Sequence, residues 1–173
     1  MELKATITTK GHLFDGQGPA IIREKLTAAM YEATSFLETK VKENLPTEVD
    51  GISRGVGVFG DQGGLRGGIH GEVEKGTAIV KGIVAHQSAY GDVVERGRSA
   101  GKGMPPKGML VRWMEVKLGM SSEEALKKEF IFRRSIGKKG FKGVHMFERA
   151  FNDNYDQLVE IFNYYGFEIA KAL

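Results

Sequence analysis

The strongest constraint on the fold is an apolar stripe with helical spacing near the start of the chain. Apolar residues recur every three or four positions from Ile22 to Val41, which is the period of one face of an amphipathic helix. Pro19 suits the first turn of such a helix, and Pro46 suits the stop that follows it. The pattern predicts a helix over roughly 19–43.

The segment 52–84 has the composition of β-structure. It is rich in Val, Ile and Thr and is interrupted by glycine. Residues 61–64 and 74–77 are typical of turns between antiparallel strands. Alternation of apolar and polar residues over 3–8 predicts a further short strand in an N-terminal arm, 1–18. With helical spacing in the second half, the order of elements predicts an α+β fold: an antiparallel β-sheet of about 3–5 strands packed with a long N-terminal helix and C-terminal helices.

The C-terminal half contains three predicted helices. Apolar residues over 109–118 indicate a short helix that Gly119 ends. Ser121 and Glu124 have the Ser-x-x-Glu spacing of a capping box, which predicts the start of the second helix. Aromatic residues at helical spacing predict a last helix from about His145.

Two glycine-rich segments interrupt this half of the chain. The first, 97–107, holds three glycines and two adjacent prolines and is predicted to be a mobile loop. The second, 137–143, is predicted to be a basic turn between helices. The length of 173 residues suits one domain, so we expect a single α+β domain over 1–173.

Composition excludes several classes of protein. Cysteine is absent, which excludes disulfides, a thiolate nucleophile and a Cys-ligated metal. No apolar run approaches the roughly 18 residues of a membrane span, and the first residues lack the apolar core of a signal peptide. We expect synthesis in the cytoplasm and no membrane contact.

Charge is unevenly distributed along the chain. Residues 96–149 hold 14 Lys and Arg against 5 Asp and Glu, a charge of +9, while the remainder carries −6 within a net charge of +3. The densest basic cluster comprises Arg133, Arg134, Lys138, Lys139, Lys142 and Arg149. Three roles are open for this basic cluster: it can bind phosphates, form a solvated helix end, or pair with the acidic surface of a neighbouring subunit. The first role gives an alternative function, a small nucleic-acid-binding protein acting through 133–149.

Motifs for catalysis are weak. Residues 55–60 match G-x-G-x-x-G, but no helical pattern follows, so glycines in a twisted strand are the better interpretation. The four histidines have no metal-ligand spacing. His86 lies near Ser88 and Asp92, without the pattern that surrounds a nucleophilic serine. We therefore expect no catalytic, cofactor-binding or metal-binding residue.

An ordered set of landmarks spans nearly the whole chain. They are Asn44–Thr47 after the long helix, Gly64–Ile69, Ala89–Gly97, Ile136–Gly140 and Met146–Ala150. In this order they resemble the tail-completion, or neck, proteins of long-tailed bacteriophages, which include minor tail and head–tail joining proteins.

The resemblance implies a structural role in the virion. Such a protein is not an enzyme and needs no cofactor. It assembles in the host cytoplasm and is located at the tail and neck of the virion, as a hexameric or dodecameric ring of itself. Its partners are the head–tail connector or adaptor and the tail terminator or tail-tube proteins, with non-specific contact to packaged DNA.

The resemblance also marks a short motif of the family, named here the family box. Its residues are Tyr90, Val94, Glu95 and Gly97. We interpret Tyr90 and Val94 as packing residues and Gly97 as a backbone requirement.

Overall fold

The computed structural model describes residues 16–45, 64–76, 79–88 and 90–173. The helices in this part of the chain are α1 (Gly18–Asn44), α2 (Gly64–Gly67), α3 (Gly91–Arg96), α4 (Val111–Leu118), α5 (Ser122–Lys139), α6 (Met146–Asp153) and α7 (Tyr155–Ala172). The strands are β1 (Ile69–Lys75), β2 (Val80–His86), β3 (Gly97–Arg98) and β4 (Phe141–Lys142).

The chain divides into two compact units. The described residues of the first unit lie in 16–36, Glu72–Ile83 and Tyr155–Leu173. Those of the second lie in Leu37–Gly71 and Val84–Asn154. The single domain over 1–173 stays a prediction.

The predicted long N-terminal helix is confirmed. α1 begins at Gly18, with Pro19 in its first turn, where proline's missing N–H removes no helical hydrogen bond. The apolar stripe turns inward, since Ala29, Ala33 and Val41 are buried along it. The apolar stripe together with Pro19 and Pro46 therefore located this element to within one residue at each end.

The α+β class is confirmed, but the sheet of about 3–5 strands is wrong. The described strands form two antiparallel sheets of two strands each, β1 with β2 and β3 with β4. In the second sheet Gly97 is opposite Lys142 and Arg98 is opposite Phe141. Two local features limit the first sheet: 64–67 is a helical turn and not a strand, and β3 pairs with β4 instead of extending β1 and β2. The strands predicted within 1–18 and 52–63 lie outside the described residues.

Two of the three helix boundaries predicted in the C-terminal half are confirmed. Gly119 ends α4 with a left-handed φ of 63°, and Ser121 Oγ accepts a hydrogen bond from the amide of Glu124, which confirms the capping box. The basic turn predicted over 137–143 is wrong over most of its length, since α5 includes 137–139 and Phe141–Lys142 form β4. α5 runs through Gly137 to Lys139. A Cβ at Gly137 would lie 2.9 Å from the carbonyl oxygen of Gly103, so glycine at this position leaves room for the 97–107 segment.

The predicted last helix is two helices. α6 ends at Asp153 and α7 begins at Tyr155. Between them, Asn154 Nδ2 donates to the carbonyl oxygen of Ala150 at 2.9 Å, which satisfies one of the acceptors that a helix end leaves open.

The core of the second unit gathers residues that are distant in sequence. Its buried members are Val41, Leu45, Leu65, Ile69, Met146 and Ala150. Val84, Tyr90, Val94, Val144 and Phe147 pack against them half-buried. Burial of this apolar set is the main favourable free energy available to the unit.

A carboxylate on α1 joins this helix to β1 within the same unit. Glu38 accepts hydrogen bonds from Lys42 Nζ at 2.5 Å and from the amide of Gly71 at 2.8 Å. The bond from Lys42, helped by that from Gly71, holds the pKa of Glu38 below its ordinary value of 4.5, against the opposing effect of burial.

This lowered pKa predicts a loss of stability in acid. The ionised form stabilises the fold above pH 4.5, and this contribution disappears as the pH falls through the lowered pKa. We expect the free energy of unfolding of Glu38→Gln to fall less steeply than that of the wild type between about pH 5 and pH 3. Denaturant unfolding at a series of pH values measures both slopes, and identical slopes would contradict the prediction.

Candidate functional site

The first two box residues lie on the core of the second unit. Tyr90 precedes α3, and its carbonyl oxygen accepts the amide of Val94 at 3.0 Å. Both side chains pack half-buried against the core described above. This geometry is what a packing role requires of them.

The third box residue, Glu95, holds the start of α6. Its carboxylate accepts the amides of Phe147 at 3.2 Å and Glu148 at 3.3 Å, and its carbonyl oxygen accepts the amide of His145 at 3.0 Å. The first amides of a helix have no partner within the helix, and a negative charge is favoured there. Glu95 therefore supplies from α3 the cap that α6 lacks, since His145 at the N-cap position makes no side-chain capping bond.

The fourth box residue, Gly97, occupies a backbone position closed to other residues. Its φ is 74° and its ψ is −166°, a conformation that is essentially limited to glycine. A Cβ at Gly97 would also overlap the amide nitrogen of Gly143 and lie 2.5 Å from the carbonyl oxygen of Phe141. The box thus ends where the backbones of β3 and β4 approach each other closely.

We expect removal of the Glu95 carboxylate to loosen α6. Glu95→Ala leaves two helix amides without an acceptor and should lower the free energy of unfolding by about 1–2 kcal/mol. Glu95→Gln retains one acceptor and should lose less. Asp92, an exposed carboxylate that lies on α3 as Glu95 does, provides a control: Asp92→Ala should change stability by no more than about 0.5 kcal/mol. Chemical denaturation measures all three, and equal losses for Glu95→Ala and Asp92→Ala would contradict the capping role.

An open cleft of about 620 Å³ adjoins the box. It is lined by Val84, Ala85, His86, Asp92, Glu95, Arg96, His145, Phe147 and Glu148. His86 Nε2 lies 3.5 Å from Asp92 Oδ1, and His145 Nδ1 lies 2.9 Å from Glu148 Oε2. Ser88 is buried and does not line the cleft, so the cleft does not bring together the histidine, serine and aspartate that are close in sequence. Within the described part of the chain, no three His, Asp or Glu side chains are grouped so as to hold a metal ion.

The basic cluster divides into engaged and unengaged members. Arg133 Nε donates to the carbonyl oxygen of Pro105 at 2.6 Å, and Arg149 reaches Asn44 Oδ1 at 3.4 Å. The other members, Arg134, Lys138, Lys139 and Lys142, are exposed. None of these four forms an ion pair with another residue that the structure describes.

The first two residues of the loop predicted over 97–107 form β3, and the rest of that segment packs against α5. Pro105 is buried, Arg98 donates to the carbonyl oxygens of Lys102 and Gly103 at 2.7 and 3.3 Å, and the amide of Gly101 donates to Gly137 at 2.8 Å. The mobility of this loop stays a prediction.

Glu129, a buried carboxylate on α5 that binds the backbone just before α4, is a residue that the sequence analysis did not single out. Its side chain accepts the amide of Gly108 at 2.7 and 3.0 Å and that of Leu110 at 3.2 Å. Only 2% of its surface is exposed. One signal was present: Ala125, Glu129 and Ile136 share the inward face of α5, and a carboxylate on an apolar face requires partners.

Comparison with known proteins adds no relative. No family model, no curated protein and no solved structure matches the chain. Among the described helices, none combines the length and the apolar character needed to cross a membrane.

Proposed function

We propose that this protein is a structural component of the neck of a long-tailed bacteriophage, where a ring of its copies joins the DNA-filled head to the tail. The resemblance of the ordered landmarks, above all the box from Tyr90 to Gly97, carries the proposal. In this role the protein acts without catalysis: the ring would contact the head–tail connector on one side and the tail terminator or tail-tube protein on the other.

The geometry of the box supports a structural role. Tyr90 and Val94 pack on the core, Glu95 is committed to the amides of α6, and Gly97 allows two backbones to approach. All four residues are thus engaged in holding α3, β3 and α6 together. A box built in this way keeps a rigid frame beneath the surfaces that meet partners.

Exposed apolar side chains also support assembly. α5 and α7 expose large apolar residues, among them Phe130, Ile131, Tyr164 and Phe167, each more than half accessible. Aromatic residues of this kind are enriched in protein interfaces, and a ring requires each copy to offer two different faces.

Localisation in the virion tests the proposed function. Antibodies against the chain, applied to purified phage particles that encode it, should place gold label at the head–tail junction in electron micrographs. Particles from which the gene is deleted serve as the control and should remain unlabelled, with unjoined heads and tails. Absence of the protein from mature particles would contradict the proposal.

The four unengaged basic residues favour one alternative, binding to nucleic acid. Affinity for duplex DNA in a filter-binding series should then fall steeply with salt, with a log–log slope of about 0.9 per neutralised phosphate. Lys138→Ala with Lys139→Ala and Lys142→Ala should reduce that slope by about two to three. Lys127→Ala with Lys128→Ala is the matched control, since those lysines pair with Glu123 and Glu124. Absence of binding at low salt would exclude this alternative.

A further inference from the structure

Two exposed helix faces carry charges of opposite sign, and their residues are arranged in reverse order along the two helices. On α5, Phe130, Arg134 and Lys138 follow one another at four-residue steps; this set is named the basic row. On α7, Asp156, Glu160 and Tyr164 do the same; this set is named the acidic row. Residues four apart lie on one helix face, separated by about 6 Å along the axis. Each row therefore presents two charges and one aromatic ring over about 12 Å.

Both rows face outward in the chain. Phe130 is 54% exposed and Tyr164 is 60% exposed, and the four charged residues of the rows are exposed as well. Among the residues that the structure describes, none of these four charges forms an ion pair. Each row is thus an unused surface of its own unit.

The first half of α5 shows that unpaired charges are not general on this helix. Lys127 pairs with Glu123 at 2.6 Å, and Lys128 pairs with Glu124 at 2.5 Å. The helix neutralises its first two lysines internally and leaves Arg134 and Lys138 without such partners. Charges left open beside an exposed aromatic ring suit a partner surface of opposite sign.

We infer that the basic row of one copy binds the acidic row of a second copy, with the two helices antiparallel. In that orientation Lys138 faces Asp156, Arg134 faces Glu160 and Phe130 faces Tyr164, because the four-residue steps of both rows coincide. Ile131 and Phe167, which are 65% and 67% exposed, extend the apolar end of the contact.

The acidic row is held ready for such a contact. The ring of Tyr164 meets that of Tyr165 edge to face with centroids 5.2 Å apart. Tyr165 in turn donates from its hydroxyl to Glu32 Oε2 on α1 at 2.9 Å, and this bond raises the pKa of the Tyr165 hydroxyl. A fixed aromatic ring loses less entropy on binding than a free one.

The contact is heterologous, so it propagates. A copy that uses its basic row still has a free acidic row, and successive copies form a closed ring or an open chain. A single helix pair is smaller than the roughly 1,200–2,000 Å² of a stable interface, so each contact is weak and closure adds the stability. The inference deepens the proposed function, on whose ring it rests, by naming the two faces that meet.

Cysteine cross-linking tests the pairing directly, since the chain has no cysteine of its own. One copy carries Phe130→Cys, and a second, tagged copy carries Tyr164→Cys. With a short bis-maleimide, this mixed dimer should form at least about five times faster than the control dimer, in which Ser135→Cys replaces Phe130→Cys in the first copy. Ser135 is an exposed position on another face of α5. Equal rates, or faster linkage of Phe130→Cys copies to each other, would overturn the inference.

Charge reversal provides the second measurement. Arg134→Glu with Lys138→Glu in the first copy should reduce mixed cross-linking to the rate of the Ser135 control. Adding Asp156→Lys with Glu160→Lys to the second copy should restore it, which also shows that both variants fold. If these substitutions do not restore cross-linking, the pairing is refuted. The same result is expected if a different protein, and not a second copy, binds these rows.

The outcomes separate the two proposals. Specific cross-linking of a protein that is absent from the virion neck would retain the paired rows and reject the proposed function. Labelling at the neck without specific cross-linking would retain the proposed function and reject the paired rows.

Discussion

Gly97→Ala is expected to lower the free energy of unfolding by about 3–5 kcal/mol. About 1–3 kcal/mol of this comes from the φ of 74°, which alanine tolerates poorly. The rest comes from the overlap of the new methyl group with the backbone of Phe141 and Gly143, since overpacking typically costs about 1–3 kcal/mol. Both obstacles are backbone atoms of the β4 segment, so no side-chain rotation relieves them.

A matched glycine separates the two contributions. Gly101 has a φ of 78°, and a Cβ there would meet nothing within 4 Å. Gly101→Ala should therefore show the conformational cost alone, about 1–2 kcal/mol. Thermal or urea unfolding of both variants measures the difference. Similar losses at the two positions would show that β3 and β4 do not approach as closely as described.

Glu129→Ala is expected to lower the free energy of unfolding by about 3–4 kcal/mol. The change removes a carboxylate that accepts the amides of Gly108 and Leu110, leaves those donors without a partner and opens a cavity between α4 and α5. A hydrogen bond to a charged group contributes about 1.5–3 kcal/mol, and the change removes the acceptor of two half-buried amides at once. Glu129→Gln keeps the shape and one acceptor and should lose about half as much.

An exposed glutamate on the same helix provides the control. Glu123 has 80% of its side chain exposed and pairs with Lys127, so Glu123→Ala should change stability by no more than about 0.5 kcal/mol. Hydrogen exchange adds a local readout: the amides of Gly108 and Leu110 should exchange faster in Glu129→Ala. Unchanged exchange at these amides would contradict the assignment of Glu129 as their acceptor.

Local signals predicted the elements that depend on local physics. The stripe from Ile22 to Val41 predicted α1 because periodicity is a property of adjacent turns, and the Ser121–Glu124 spacing predicted the start of α5 because a capping box closes within four residues. Gly119 was recognised for the same reason, since a left-handed helix end is decided by one residue.

Features that depend on distant partners were not predictable in this way. Glu95 meets the amides of α6 more than fifty positions later, and nothing near Glu95 in the sequence indicates α6 as its partner. The predicted number of strands in the sheet was wrong for a related reason. β-composition shows that a segment can pair but not with which segment, and Gly97 and Arg98 pair with Phe141 and Lys142 across the whole of α4 and α5.

The pairing of β3 with β4 has a consequence for how this protein can change over time. The segment 99–140 begins after Arg98 and ends before Phe141, and these two residues are direct neighbours in the β3–β4 ladder. This segment is an excursion from the frame formed by α3, β3, β4 and α6. The hydrogen bonds of Glu129, Arg133 and Gly101 all close inside this excursion. Because doubling the length of a loop adds only about 0.6 kcal/mol of closure entropy, the excursion can be lengthened, shortened or replaced while the frame stays intact. The helix that displays the basic row therefore lies in a segment whose length is not fixed by the pairing of β3 with β4.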